Sequence, residues 1–188
     1  QKMIPINRAA KSRAIPEMVA RAKVELASGR ELIIYPEGTR KAPGETPDYK
    51  YGIARLYSDL KVPVVPIVMH PGLFWPRHGF LRYPGHVRIR ILKPIEPGMP
   101  PTDFFRHLVA YTEAASDALL LQTVAENPQV PLPDVTQKRL AELRAAPPAT
   151  APAPWQLALC GTQPDLRAAA AVLRGQRRRE GVTALVVP

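Results

Sequence analysis

A chain of 188 residues, 46% of them apolar, is long enough for one domain, or one domain and a tail, and apolar enough to bury a core. Its one cysteine, Cys160, excludes an internal disulfide and a cysteine-built metal site, and no run reaches the roughly 18 apolar residues of a membrane span. The formal charge of +10 points to an anionic partner (a phosphate ligand, an acidic lipid surface or nucleic acid), unless high Arg and Ala simply reflect a GC-rich genome.

Residues 2–8 read as a short strand and turn, with Ile4 and Ile6 alternating and Arg8 at the end. Residues 12–28 read as a helix. Pro16 is tolerated in its first turn, Met18, Val19, Ala22 and Leu26 define a core face, and Gly29 is a C-terminal cap. The apolar run at 31–35 reads as a buried strand ended by Pro36, which cannot donate to a ladder. Then come Glu37, Gly38, Thr39 and Arg40: a carboxylate, a residue free in its backbone angles, a hydroxyl and a guanidinium. In open α/β sheets ligands bind at the carboxyl ends of strands, where such groups project.

The stretch at 41–48 is an irregular loop, followed by a helix at 49–60 with Ile53, Leu56, Tyr57 and Leu60 inward. Residues 62–69 form a near-continuous apolar strand covered on both faces, in which Pro66 predicts an edge position or a bulge. His70 is read as a loop histidine. Residues 72–84 interleave Leu73, Phe74, Trp75, Phe80, Leu81 and Tyr83 with Arg77, His78 and Arg82, which suits a membrane interface or an acyl-chain entry, or a loop folded onto the core. In 86–92, Val87, Ile89 and Ile91 alternate with Arg88 and Arg90, giving a half-exposed strand whose cationic face is wet or meets lipid headgroups. A last helix spans 102–121, capped by Thr102, with Phe104, Phe105, Leu108, Thr112, Ala115 and Leu119 inward. Residues 123–188 hold nine of the 23 prolines and read as a linker and basic tail, with strands at 155–160 and 182–187 and a helix at 164–173.

Three of these stretches together carry a resemblance. Tyr35-Pro36-Glu37-Gly38-Thr39-Arg40 resembles the third motif of the glycerolipid acyltransferases, the 1-acylglycerol-3-phosphate (lysophosphatidic acid) O-acyltransferase family, with Tyr35 where the pattern has Phe. Met3-Ile4-Pro5-Ile6-Asn7-Arg8 resembles the second, with Asn7 in place of the usual Asp, and Val62-Pro63-Val64-Val65-Pro66-Ile67 resembles the fourth. Lys50-Tyr51-Gly52 matches a Lys-x-Gly stretch of the same family, although Lys50 by itself reads as a solvated lysine. The resemblance covers about residues 1–121, in order and spacing.

The resemblance implies an α/β fold with a mostly parallel sheet flanked by helices, a partial acyltransferase domain at 1–122 and a Pro/Ala-rich tail at 123–188. It implies acyl transfer from acyl-CoA or acyl carrier protein to lysophosphatidic acid in phospholipid biosynthesis, with no cofactor and no metal. Arg8 and Arg40 would grip the acceptor phosphate, as guanidinium geometry allows. Glu37 would orient a cation or accept from a substrate hydroxyl, Gly38 would let the backbone come close, and Thr39 and Pro66 would complete the substrate site. Taken alone, Arg8 also reads as an exposed terminal arginine, and Arg40 as a loop pin for Glu37 or Glu45. The family's base, a His with Asp five positions on, has no counterpart: the four histidines are followed at that distance by Trp75, Tyr83, Ile91 and Thr112. With Gln1 entering directly at the second motif, the expectation is a piece that has lost its N-terminal part and has little turnover of its own. It is expected to be peripheral on the cytoplasmic face of the inner membrane. The rival reading is a non-catalytic basic module for anionic lipid or polyanions. Nucleic acid is not expected, since no recognised motif or stacking stripe stands outside 72–90.

Overall fold

A computed structural model describes residues 4, 14–77, 79–145 and 184–186. Over them the chain runs α1 (Ala14–Ala27), β1 (Leu32–Ile34), α2 (Gly52–Leu60), β2 (Val64–Met69), a 3-10 turn at Pro71–Leu73, β3 (Ile89–Ile91), α3 (Pro101–Glu126), α4 (Asp134–Ala145) and β4 (Ala184–Val186). This is an α/β architecture. The strand expected at 3–7, Arg8, and the tail elements at 155–160 and 164–173 lie outside the described residues.

The helices follow their apolar periods. In α1, Val19 and Ala22 are buried. The helix stops at Gly29, whose φ of +78° lets its N–H reach the Leu26 carbonyl (2.9 Å) while that of Arg30 reaches Glu25 (3.1 Å). Those two bonds close the last turn. Helix α2 buries Ile53, Ala54, Leu56 and Tyr57. Helix α3 is the spine, with its buried stripe at Phe104, Leu108, Thr112, Ala115 and Leu119 as the period predicted. It starts one residue earlier than expected, at Pro101, where the missing donor is harmless. Thr102 is therefore not the cap; its hydroxyl lies 3.3 Å from that of Tyr51.

The sheet order is β1–β4–β2–β3. Both parallel pairings run through β4, which lies between β1 and β2. Strand β3, expected in a mostly parallel sheet, pairs with β2 antiparallel. The reason is the connection. Residues 70–88 contain no crossover helix, and a chain that turns back without one returns antiparallel. The run at 31–35, expected to be buried, is only half covered: Ile33 and Tyr35 are exposed, and among the described residues β1 stands at the edge of the sheet.

Strand β2 is buried along its length up to Met69. Pro66 sits inside it, and the bulge predicted there is present. Val64 pairs with Ile95, but Ile67 pairs with Ile91, so two residues of β2 face three of the returning chain. The Pro66 carbonyl still accepts from Leu92 N–H at 2.9 Å. The extra residue opposite absorbs the donor that proline lacks.

Three apolar clusters lie along α3. Its N-terminal half packs with Ile53, Ala54, Tyr57, Val64 and Ile95, its middle with Val68 and Leu92, and its C-terminal part with Leu73, Phe74, Val130 and Leu140. A division expected after residue 122 falls inside α3, and α4 buries Leu140 in the third cluster. Residues 123–145 are thus part of the packed body. Asn127 ends α3: its side-chain amide donates to the Thr123 carbonyl (2.8 Å), and its Oδ1 accepts from His86 N–H (3.1 Å).

Candidate functional site

Because β1 and β2 run the same way, the chain leaves both at one edge of the sheet. The chain turns sharply after β1. Gly38 N–H donates to the Tyr35 carbonyl at 3.0 Å, with Pro36 and Glu37 between them. Proline in the second position of such a turn and glycine in the fourth suit its backbone. Gly38 has φ +67°, and no heavy atom lies within 4 Å of where a Cβ would stand. The left-handed backbone by itself favours glycine here, and the space beside it is open.

Of the expected site residues, Glu37, Gly38, Thr39 and Arg40 share this turn, the last three exposed and Glu37 half-buried. Burial raises the Glu37 carboxyl above its ordinary range; Lys41 opposes this, while Glu45 and Asp48 add to it. Arg8 lies outside the described residues. Pro66 is deeply buried within β2, where it shapes the sheet. The loop-pin alternative for Arg40 finds no support among the described residues. Glu45 is paired with Lys41 (3.4 Å), and no carboxylate there is within ion-pair reach of Arg40. Lys50, the Lys-x-Gly lysine, is paired with Asp48 and exposed.

The loop after Arg40 is held by distant elements. Lys41 Nζ donates to the Thr46 carbonyl (2.7 Å), and the buried Thr136 hydroxyl of α4 donates to the Pro43 carbonyl (2.6 Å). The Arg139 stem lies 2.9 Å from where a Gly44 Cβ would stand, and its guanidinium grips Asp117 with two bonds of 3.0 and 2.6 Å. From the β2 side, Arg77 donates to the Arg40 carbonyl at 3.3 Å.

Beneath this edge lies a polar group that sequence reasoning missed. Tyr49 donates to Glu113 at 2.9 Å. Burial, then the Glu113 charge, pushes the Tyr49 phenol well above its ordinary range, and burial raises Glu113 too. His70 stands in a loop, as expected, but it is tied down. It is buried, and its Nε2 donates to the Ser116 carbonyl (2.9 Å) while burial lowers its pKa. Ser116 and Asp117 stand three and four residues after Glu113 on α3. That spacing is the one signal that would have flagged them. No set of three or more His, Cys, Asp or Glu among the described residues is arranged to hold a metal ion.

The cationic face of β3 also has partners. Arg88 pairs with Glu126 (2.5 Å) and Arg90 donates to Gln122 (3.2 Å), so α3 engages both, with the Arg88 side chain still 42% exposed. The loop before it is different: Trp75, Phe80 and Leu81 are exposed. No described helix is long and apolar enough to cross a membrane.

The class defined so far is an α/β domain whose Pro-Glu-Gly-Thr-Arg turn, at the strand ends, carries an arginine with no ion-pair partner among the described residues. Residues 1–70 match the family model described as Acyltransferase. That match and the names of its curated relatives agree in likening the chain to acyltransferases. The chain is 28% identical over 125 residues to a 1-acyl-sn-glycerol-3-phosphate acyltransferase of Pseudomonas aeruginosa, covering 66% of this chain and 47% of that one. It is 29% identical over 128 residues to the alpha form from Mus musculus, 62% of this chain and 45% of the other. To the Limnanthes alba enzyme of the same name it is 30% identical over 93 residues, 49% of this chain and 33% of the other. The chain spans about half or less of the length of these relatives. No solved structure matches it.

Proposed function

We propose that the turn at 37–40 is the acceptor-phosphate site of an acyltransferase acting on lysophosphatidic acid. The observation that carries this is Arg40, exposed at the carboxyl edge of the sheet and without an ion-pair partner among the described residues. A guanidinium left unpaired beside a half-buried carboxylate is suited to a phosphate dianion, which it can grip with two bonds. In this reading Arg8 adds a second cation, Glu37 accepts from a substrate hydroxyl, and Gly38 and Thr39 shape the turn. Pro66 backs the site from within β2. The relatives' names supply the acceptor class; the acyl donor is acyl-CoA or acyl carrier protein.

The acceptor hydroxyl attacks the thioester carbonyl, the C–S bond breaks, the thiolate leaves, and the hydroxyl proton passes to a base. These 188 residues contain no His with Asp five positions on, and the buried His70 already donates to Ser116, so no base is assigned here. The chain by itself is expected to give no turnover with acyl-CoA and lysophosphatidic acid. The same reading takes the sheet as mostly parallel, with β3 as its antiparallel member, and the protein as peripheral on the cytoplasmic face of the inner membrane.

Calorimetry with glycerol 3-phosphate tests the site. Arg40→Ala is expected to lose about 1.5–3 kcal/mol of binding, and Arg40→Lys less, since charge is kept and the fork is lost. Unaltered affinity in Arg40→Ala would remove the acceptor site. Binding of polyanions that depends only on salt would favour the basic-module reading instead.

A further inference from the structure

We propose that the loop at 74–83 is a membrane-insertion loop, which seats Phe80 and Leu81 in the interfacial layer of an anionic bilayer beside the Arg40 edge. For its purpose this rests on the acyltransferase reading; the surface itself stands on four observations.

The loop is a closed excursion on a firm base. Phe74 is buried in the cluster with Val130 and Leu140, and Tyr83 N–H donates back to the Phe74 carbonyl at 2.9 Å. Between these anchors the apolar side chains point outward: Phe80 is 101% exposed, Leu81 65% and Trp75 53%. Apolar groups held out on a pinned base are not core residues that failed to pack, and such patches mark interaction sites.

The charges match an anionic surface. Residues 60–95 hold Lys61, Arg77, Arg82, Arg88, Arg90 and Lys93 and no Asp or Glu. Arg88 and Arg90 are engaged by α3, which leaves Arg77 and Arg82 at the loop. The Arg82 guanidinium stacks 4.0 Å above the Trp75 ring. An indole with an arginine over it has an apolar body and a wet, charged rim, the composition suited to the headgroup layer.

The loop is joined to the site. Arg77 donates to the Arg40 carbonyl, and Gly72, just before the loop, packs on Pro43, within 3.2 Å of where its Cβ would be. A lipid acceptor drawn from the surface would reach Arg40 without leaving the interface.

A protein partner fits less well. A stable protein interface needs roughly 800 Å² from each side, while these three side chains offer a few hundred at most. A bilayer needs no matching shape.

The test uses the full chain with Trp155→Phe as background, so that Trp75 is the only indole, and vesicles of phosphatidylcholine with and without phosphatidylglycerol. Sedimentation is expected to show binding to the anionic vesicles, with Trp75 emission quenched by brominated lipid. Phe80→Ser/Leu81→Ser is expected to weaken partitioning at least about tenfold, since two large apolar groups no longer leave water. It should leave glycerol 3-phosphate affinity unchanged. Arg40→Ala should do the reverse, losing the phosphate ligand and keeping the vesicles. A failed phosphate arm with intact vesicle binding thus counts against the acceptor site alone. Failure to sediment, an unquenched Trp75 in bound protein, or undiminished partitioning of the double variant each overturns the loop. Binding of acidic acyl carrier protein but not vesicles, lost in the double variant, overturns it in favour of protein docking.

Discussion

Two side chains of α4 hold the loop behind Arg40, Thr136 by a bond and Arg139 by packing its stem on Gly44, and they can be changed separately. Thr136 is fully buried and donates to the Pro43 carbonyl at 2.6 Å, across 93 residues of sequence. Thr136→Val keeps the shape and leaves that carbonyl without its donor, in a place water does not reach. An unsatisfied buried acceptor costs about 1–3 kcal/mol. Arg139 makes two bonds to Asp117, yet the two side chains are 35% and 21% exposed. Arg139→Met keeps the stem against Gly44 and removes an ion pair that water already screens, at a cost of about 0.5–1 kcal/mol. The single neutral bond should therefore matter more than the bidentate ion pair. Urea unfolding gives the two stabilities, and amide exchange at Glu45, whose N–H donates to the Ala42 carbonyl at 3.0 Å, reports on the loop. Thr136→Val is expected to lose more stability and to speed that exchange. A larger loss in Arg139→Met, or unchanged exchange in Thr136→Val, would refute the ranking and the claim that burial sets it.

Two further outcomes test other parts of the packing. In Gly85→Ala the new methyl would stand 2.2 Å from a Phe74 ring carbon and 2.6 Å from Asn127 Oδ1, so about 1–3 kcal/mol should be lost and the thermal midpoint should fall. An unchanged midpoint would mean that the Phe74 anchor moves freely. Burial raises the folded-state pKa of Glu113 above its ordinary 4.5, so the native protein holds the extra proton and stability falls as pH rises from about 4.5 through that raised value. Glu113→Gln still accepts from Tyr49 and cannot ionise. It should match or exceed the parent at pH 7 and converge with it near pH 4; a marked loss confined to pH 7 would show that the charged carboxylate is the better partner.

What the sequence determined by itself was local. The apolar period placed α1, α2 and the α3 stripe from Phe104 to Leu119, because a helix repeats every few residues and buries one face wherever it docks. The end of β1 at Pro36 was legible because proline cannot donate to a ladder, and the bulge opposite Pro66 because a missing donor must be accommodated on the spot. The tertiary structure decided what depends on partners far along the chain. Among the described residues β1 stands at the sheet edge with Ile33 exposed, and β3 is antiparallel because its connection lacks a helix. His70 is tied down by Ser116, 46 residues away, and the loop behind Arg40 by Thr136 and Arg139. Periodicity says that a face is buried, but which atoms meet there is set by non-local packing, where each contact must repay the entropy of closing its loop.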